Sequence, residues 1–186
     1  GLIFLPFVFV NLKALIKEVI SYSGVTDYGL IAILRAFYSS INGSFTPAPH
    51  SYYLLKLSKF IFLGLYSFLT VKMWFIKRKI LLLDSIMIVF CLFYFFYGGI
   101  SSQYLVWLLP FLILQNQKMA IAYSFFATAA LLGFYSYFFP EMIFWMFPSL
   151  IPNFKIAITI HFLTVTSFWL FLGFLLFSLI KKNRLL

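Results

Sequence analysis

Charge is what this chain has least of. Only 10% of its 186 residues are charged, where a soluble domain carries about a quarter, so there is too little polar surface to clothe a water-soluble fold. Carboxylates are rarer still: Glu18, Asp27, Asp84 and Glu141 are all there are. They form no pair for acid–base work. With the histidines they build no metal-ligand cluster, and the chain has neither a Gly-rich phosphate loop nor a nucleophile–base spacing. Cysteine is nearly missing too. Cys91 stands alone inside an apolar run, which excludes an internal disulfide and a C-x-x-C metal site and leaves a buried, inert thiol as its role.

What fills the chain instead is hydrocarbon. Hydrophobic residues make up 64% of it, with 27 phenylalanines. Met119–Phe139 carries no charge at all, and Ile156–Ile180 is broken only by His161 and small hydroxyl residues. Runs of about 18 or more apolar residues are the signature of bilayer-spanning helices. The formal net charge of +10 does not indicate a nucleic-acid binder. Its basic residues sit at the ends of apolar runs, as in Lys77-Arg78-Lys79 and Lys181-Lys182-Asn183-Arg184, which is the positive-inside pattern of membrane topology. The expected fold class is therefore all-α, a polytopic transmembrane helix bundle.

Five spans are expected: Tyr52–Ile76, Ile80–Tyr97, Tyr104–Leu114, Met119–Phe139 and Ile156–Ile180. Placing Lys181–Arg184, and so the C-terminus, in the cytoplasm puts Lys77–Lys79 and Gln115–Lys118 on that side. Gly98–Gln103 and Pro140–Lys155 then fall outside. The outer Pro140–Lys155 loop, with Trp145, Phe147, Pro148 and Pro152, reads as an interfacial aromatic segment. The chain divides into residues 1–51 and residues 52–186. The first part comprises the end of a spanning helix and outer-face segments, and the second is the five-helix region. Residues 1–10 lack the basic start and small-residue cleavage site of a signal peptide, and the chain is expected to be the C-terminal part of a longer protein. In NLKALIKEVI, Leu12, Leu15, Ile16 and Val19 share one helical face, with Lys13, Lys17 and Glu18 opposite, as in a helix lying in the interface plane. Leu30–Tyr38, interrupted by Arg35, is too short to span and reads as re-entrant or interfacial.

One length is anomalous. Tyr104–Leu114 cannot cross a hydrocarbon core of about 30 Å at 1.5 Å per residue. Either the helix extends backward through Gly98–Gln103, or that turn sits at membrane depth, where polar backbone is tolerated only against protein or a water-filled cavity. GGISSQY is thus expected to line a recess open to the outer face.

Candidate substrate-binding residues follow from this topology. In Gly98–Tyr104 and the following Leu105–Pro110, Ser102 and Gln103 offer hydrogen bonds, and Tyr104 and Trp107 offer rings that stack on a sugar. A tight helix–helix turn with interfacial aromatics is the plainer alternative. Lys56 and Lys59, one helical turn apart, either snorkel to lipid headgroups or neutralise a phosphate. Arg35 and His50 are weaker candidates of the same kind. Asp27, in SYSGVTDYG, is the one carboxylate in polar surroundings that could meet a substrate. Asp84 is expected to pair with Lys77, Arg78 or Lys79, and His161 to be packed and hydrogen-bonded.

The run Ser101-Ser102-Gln103-Tyr104-Leu105-Val106-Trp107-Leu108-Leu109-Pro110 resembles a segment of the polytopic GT-C glycosyltransferases that use polyprenyl-phosphate sugars. The likeness is to the Q-Y-x-x-W core of a late segment in the GPI mannosyltransferase I catalytic subunit and its prokaryotic relatives. Tyr22-Ser23-Gly24 and Asp27-Tyr28-Gly29-Leu30-Ile31 resemble an outer-loop segment of the same proteins. The matching stretches cover about a tenth of the chain. The resemblance implies transfer of a sugar, mannose first among them, from a lipid-phosphate donor to a lipid-linked or protein acceptor at the outer or lumenal face. The setting would be the cell membrane, or the endoplasmic reticulum in a eukaryote. It also implies that the catalytic carboxylate lies in a first outer loop outside this chain, with Asp27 the substitute within it. Arg35, Lys56 and Lys59 would contact phosphate, while Ser102, Gln103, Tyr104 and Trp107 would line the cavity. The implied partners are membrane lipid, the polyprenyl-phosphate-linked sugar and a membrane subunit; no metal and no particular cofactor is implied. A flippase for lipid-linked sugars and a non-catalytic scaffold subunit are the alternatives. The scarcity of charge in the middle of the spans counts against ion-coupled transport.

Overall fold

A computed structural model describes residues 27–45, 51–75, 81–183 and 185. The segments 1–10 and Asn11–Ile20, His50 and Lys77–Lys79 lie outside the described residues. The order is α1 (Leu30–Asn42), α2 (Ser51–Phe75), α3 (Leu82–Phe96), a 3-10 turn (Ser102–Val106), α4 (Leu109–Gln115), α5 (Gln117–Phe138), the single turn α6 (Pro140–Ile143), a second 3-10 turn (Pro148–Leu150) and α7 (Phe154–Lys182). No strand occurs among the described residues; one isolated antiparallel bridge joins Tyr28 to Ile100.

Three helices, α2, α5 and α7, are long and apolar enough to cross a membrane. The surface of α2 shows what surrounds it. Along this 25-residue apolar helix only Leu69 is buried among the residues whose side chains are described, while Leu57, Phe60, Leu63, Trp74 and Phe75 stand exposed. Such an all-round apolar helix is stable in hydrocarbon and not in water. The chain is a membrane protein on these grounds.

Local signals set the helix ends. Asn116 caps α5 by accepting the N–H groups of Lys118 (3.0 Å) and Met119 (3.3 Å). Asn153 caps α7 through Ile156 N–H at 2.9 Å. Pro140 follows the end of α5. Lys181 and Lys182 close α7, where positive charge suits the carbonyl end of the helix.

The core runs between α3, α5 and α7, with α1 and α4 laid against it. Helices α5 and α7 touch most closely at Gly133. A Cβ there would lie 2.1 Å from Thr164 Oγ1 and 3.2 Å from the His161 Cα, so only hydrogen fits at this crossing.

The expected third span is not a continuous helix. Pro110 lacks the N–H that would bond Val106, and its ring crowds that carbonyl. The chain accordingly makes a 3-10 turn over Ser102–Val106 and begins α4 only at Leu109. This irregular backbone sits near mid-height of the two longest central helices. Trp169, close to the middle of α7, donates its Nε1–H to the Phe95 carbonyl at 3.0 Å. Tyr123 and Ala130, which bracket the middle of α5, meet Leu105 and Tyr28. The turn at Gly98–Gln103 is therefore sunk into the bundle.

Lys77–Lys79, expected as partners of Asp84, lie outside the described residues. The partners the structure shows for Asp84 are remote in sequence: Lys182 Nζ donates to it at 3.0 Å, Asn183 at 3.2 Å, and Gln115 through its side-chain amide. These groups tie together the start of α3 and the ends of α4 and α7.

Candidate functional site

Backbone that leaves helical geometry deep in an apolar bundle must find other hydrogen-bond partners. Here buried aromatic side chains with polar tips supply them. The Tyr123 hydroxyl donates to the Leu105 carbonyl at 2.5 Å, and the Tyr94 hydroxyl to the Tyr104 carbonyl. Gly98 N–H is taken by Ser58 Oγ at 3.0 Å. The Ile100 carbonyl accepts from both Asp27 N–H (3.1 Å) and Tyr28 N–H (3.2 Å). Tyr28 is buried, with its ring 5.7 Å from Phe134 and its hydroxyl 3.4 Å from the Ala130 carbonyl.

The bridge between Tyr28 and Ile100 brings together two segments about seventy residues apart in the chain. Gly98 lies at their junction with the helices: a Cβ there would come within 2.6 Å of Ile31, 2.9 Å of Leu55 and 2.9 Å of the Ser58 hydroxyl. One glycine thus lets α1, α2 and the sunken turn meet.

Asp27 is half-buried on this junction. Burial raises its pKa above the ordinary carboxylate value, opposed by the Ser102 N–H on its carboxylate and by the charge of Arg35. Arg35, half-buried on α1, lies over the Phe138 ring at 5.2 Å and the Phe45 ring at 6.0 Å. Three expected site residues, Asp27, Arg35 and Ser102, are thereby brought to one place. Lys56 and Lys59 flank Ser58 on α2, beside the turn. Gln103 is exposed. Tyr104 and Trp107 pack on each other at 4.5 Å and face another way. Trp107 enters the wall of a groove of about 560 Å³ between α2 and α3, lined by Phe62, Tyr66, Met73, Phe90 and Phe93.

His161 departs from expectation. It is buried, yet neither ring nitrogen has a hydrogen-bond partner. Its ring is stacked on Tyr137 (5.6 Å, 8°) and meets Phe134 and Phe138 edge-on. The Tyr137 hydroxyl is likewise buried without a hydrogen-bond partner, near Ser39, which is fully buried on α1 one turn beyond Arg35, and both Tyr137 and His161 lie within the field of Arg35. The i, i+4 pair Arg35 and Ser39 was a readable sign that α1 has a polar face. Nothing local marks Tyr137 or His161 as its partners. Glu141 is exposed on α6, and the described residues hold no group of three or more His, Cys, Asp or Glu able to bind a metal.

No family model, curated protein or solved structure matches the chain.

Proposed function

We propose that this protein is a multi-pass membrane glycosyltransferase of GT-C type. It takes a sugar, with mannose the first to test, from a polyprenyl-phosphate carrier and passes it to a lipid-linked or protein acceptor at the outer or lumenal face. The observation that carries the reading is the meeting of the Asp27–Ile31 (DYGLI) and Ser101–Pro110 (SSQYLVWLLP) segments. They resemble the same enzymes in separate places, and they lie side by side here with Asp27 against Ser102 and Arg35.

The chemistry is that of a displacement at the anomeric carbon. An acceptor hydroxyl attacks, the bond from sugar to phosphate oxygen breaks, the hydroxyl proton passes to a carboxylate, and the lipid phosphate departs with the electron pair. Asp27 is the described carboxylate placed to take the proton. Its raised pKa makes it a better base than an exposed aspartate. Arg35, Lys56 and Lys59 supply the positive charge that a leaving phosphate needs. The apolar groove beside Trp107 suits the hydrocarbon tail of such a carrier.

In this reading the Asp27 end of the bundle faces outward, while Asp84 and the basic end of α7 face the cytoplasm. The test is transfer of labelled mannose from polyprenyl-phosphate mannose by the protein in liposomes. Gln103→Ala and Lys59→Ala are expected to lower transfer, by about tenfold each for a lost polar contact to the charged donor, without loss of protein from the membrane. Wild-type turnover in both variants would remove the site assignment.

A further inference from the structure

A histidine buried in an aromatic bundle with both nitrogens unpartnered is costly, by about 1–3 kcal/mol for each unmet polar group. His161 is in that condition where polar side chains from three helices converge: Arg35 and Ser39 from α1, Tyr137 from α5 and His161 itself from α7. Asp27 stands on the other side of Arg35.

The donor and acceptor types in this group identify its ligand. A site for phosphate alone would present donors only. This one mixes them: a guanidinium that donates, a carboxylate that accepts, two hydroxyls that do either, and a neutral imidazole with one nitrogen of each kind. Vicinal hydroxyls, each both donor and acceptor, match that set, and the Tyr137 and Phe138 rings beside it suit the apolar face of a pyranose. We infer that His161, Tyr137, Ser39, Arg35 and Asp27 form a binding site for a sugar ring. The lysines on α2 then hold charge on the far side of the sunken turn.

Helix α1 packs against α7, so the inference requires it to move to admit the ligand. It is bounded by Gly29 (φ 85°) and Gly43 (φ 66°), two positive-φ positions where the chain can turn without side-chain strain. The inference deepens the transferase reading by placing the sugar, and it is tested by binding alone.

The chain has two histidines, so ring-¹⁵N-histidine protein in nanodiscs gives a simple spectrum. His161 is assigned with His161→Gln. Methyl α-mannoside is expected to shift the His161 signals saturably, and inorganic phosphate is not. His161→Phe, which leaves imidazole out but fills the space, is expected to weaken mannoside binding at least tenfold, read by calorimetry. Tyr137→Phe, which keeps the stacked ring and removes only the hydroxyl, is expected to weaken it several-fold and covers the case in which His161→Phe does not fold. A shift with phosphate and none with mannoside would overturn the inference in favour of an anion site. No shift with either would make His161 a dry packing residue. If mannoside binds but no transfer from polyprenyl-phosphate mannose occurs, the transferase reading falls and the sugar site stands. If transfer occurs and the His161 signals ignore sugar, the reverse holds.

Discussion

Two levels of this bundle each hold a carboxylate, and they treat it in opposite ways. At the basic end of α7 Asp84 is buried and matched by an ammonium and two side-chain amides drawn from two parts of the chain, the ends of α4 and α7. Beside the sunken turn Asp27 is half-buried, accepts the Ser102 N–H and lies in the field of Arg35, near a histidine whose ring nitrogens have no hydrogen-bond partner. A matched buried carboxylate is a clasp: it fixes helices and has no capacity left for a ligand. An under-matched one is held in readiness, and at Asp27 burial raises the proton affinity further than its partners lower it.

Substitutions can break the comparison or sharpen it. The largest effect expected is Asp27→Asn, which removes a proton acceptor and keeps the shape. Transfer should fall by about 10²–10⁴-fold, the usual contribution of general-base catalysis, with little change in melting. Asp84→Ala should do the reverse. It strands Gln115 and Asn183 and should cost about 2–3 kcal/mol of stability, less than a fully buried pair because the Lys182 side chain is 54% exposed. Gly133→Ala tests the packing between the two levels. The Thr164 hydroxyl can rotate away from the new methyl but the His161 Cα cannot, so about 1–2 kcal/mol is expected in thermal unfolding. Trp169→Phe keeps the stack on Phe95 (4.2 Å) and loses one hydrogen bond to the sunken backbone, for about 1 kcal/mol.

The pH dependence has a definite sign. A raised folded-state pKa means Asp27 ionises at higher pH than a free aspartate, about 3.9. Its contribution to stability is favourable at low pH and is lost as pH rises through the folded value. Transfer by a base at this position should fail as pH drops through that same raised value. Removing the opposing charge with Arg35→Gln should push the acid limb of the pH–rate profile further upward, and a limb that stays in place would show that Asp27 is not the base.

Hydropathy alone was enough to place the long helices. Ser51–Phe75, Gln117–Phe138 and Phe154–Lys182 fall within a few residues of the runs read from the chain, because apolar length is a local property. The shortness of Tyr104–Leu114 also showed in the sequence, and the stretch is a 3-10 turn followed by a short helix where a full span would need a continuous one. Pairing was not legible. Asp84 has basic residues close by in sequence, yet the partners found for it come from about thirty and a hundred residues away. The Tyr28–Ile100 bridge has no pattern that announces it, since an isolated bridge lacks the alternation of a strand. His161 looked like an ordinary core histidine for the same reason: its missing partner is a property of three helices at once, and no single stretch of chain records it.

The most direct test of a polar recess sunk into a membrane bundle uses the chain's near-absence of cysteine. With Cys91 replaced by alanine, Gln103→Cys and Asp27→Cys are introduced singly, and intact vesicles are treated with a membrane-impermeant maleimide. Both positions are expected to react from the face opposite the C-terminal lysines, although the turn that carries Gln103 lies at mid-height of α5 and α7. Failure of both to react until the membrane is dissolved would mean that the turn is sealed by lipid and protein, and it would contradict a recess open to water.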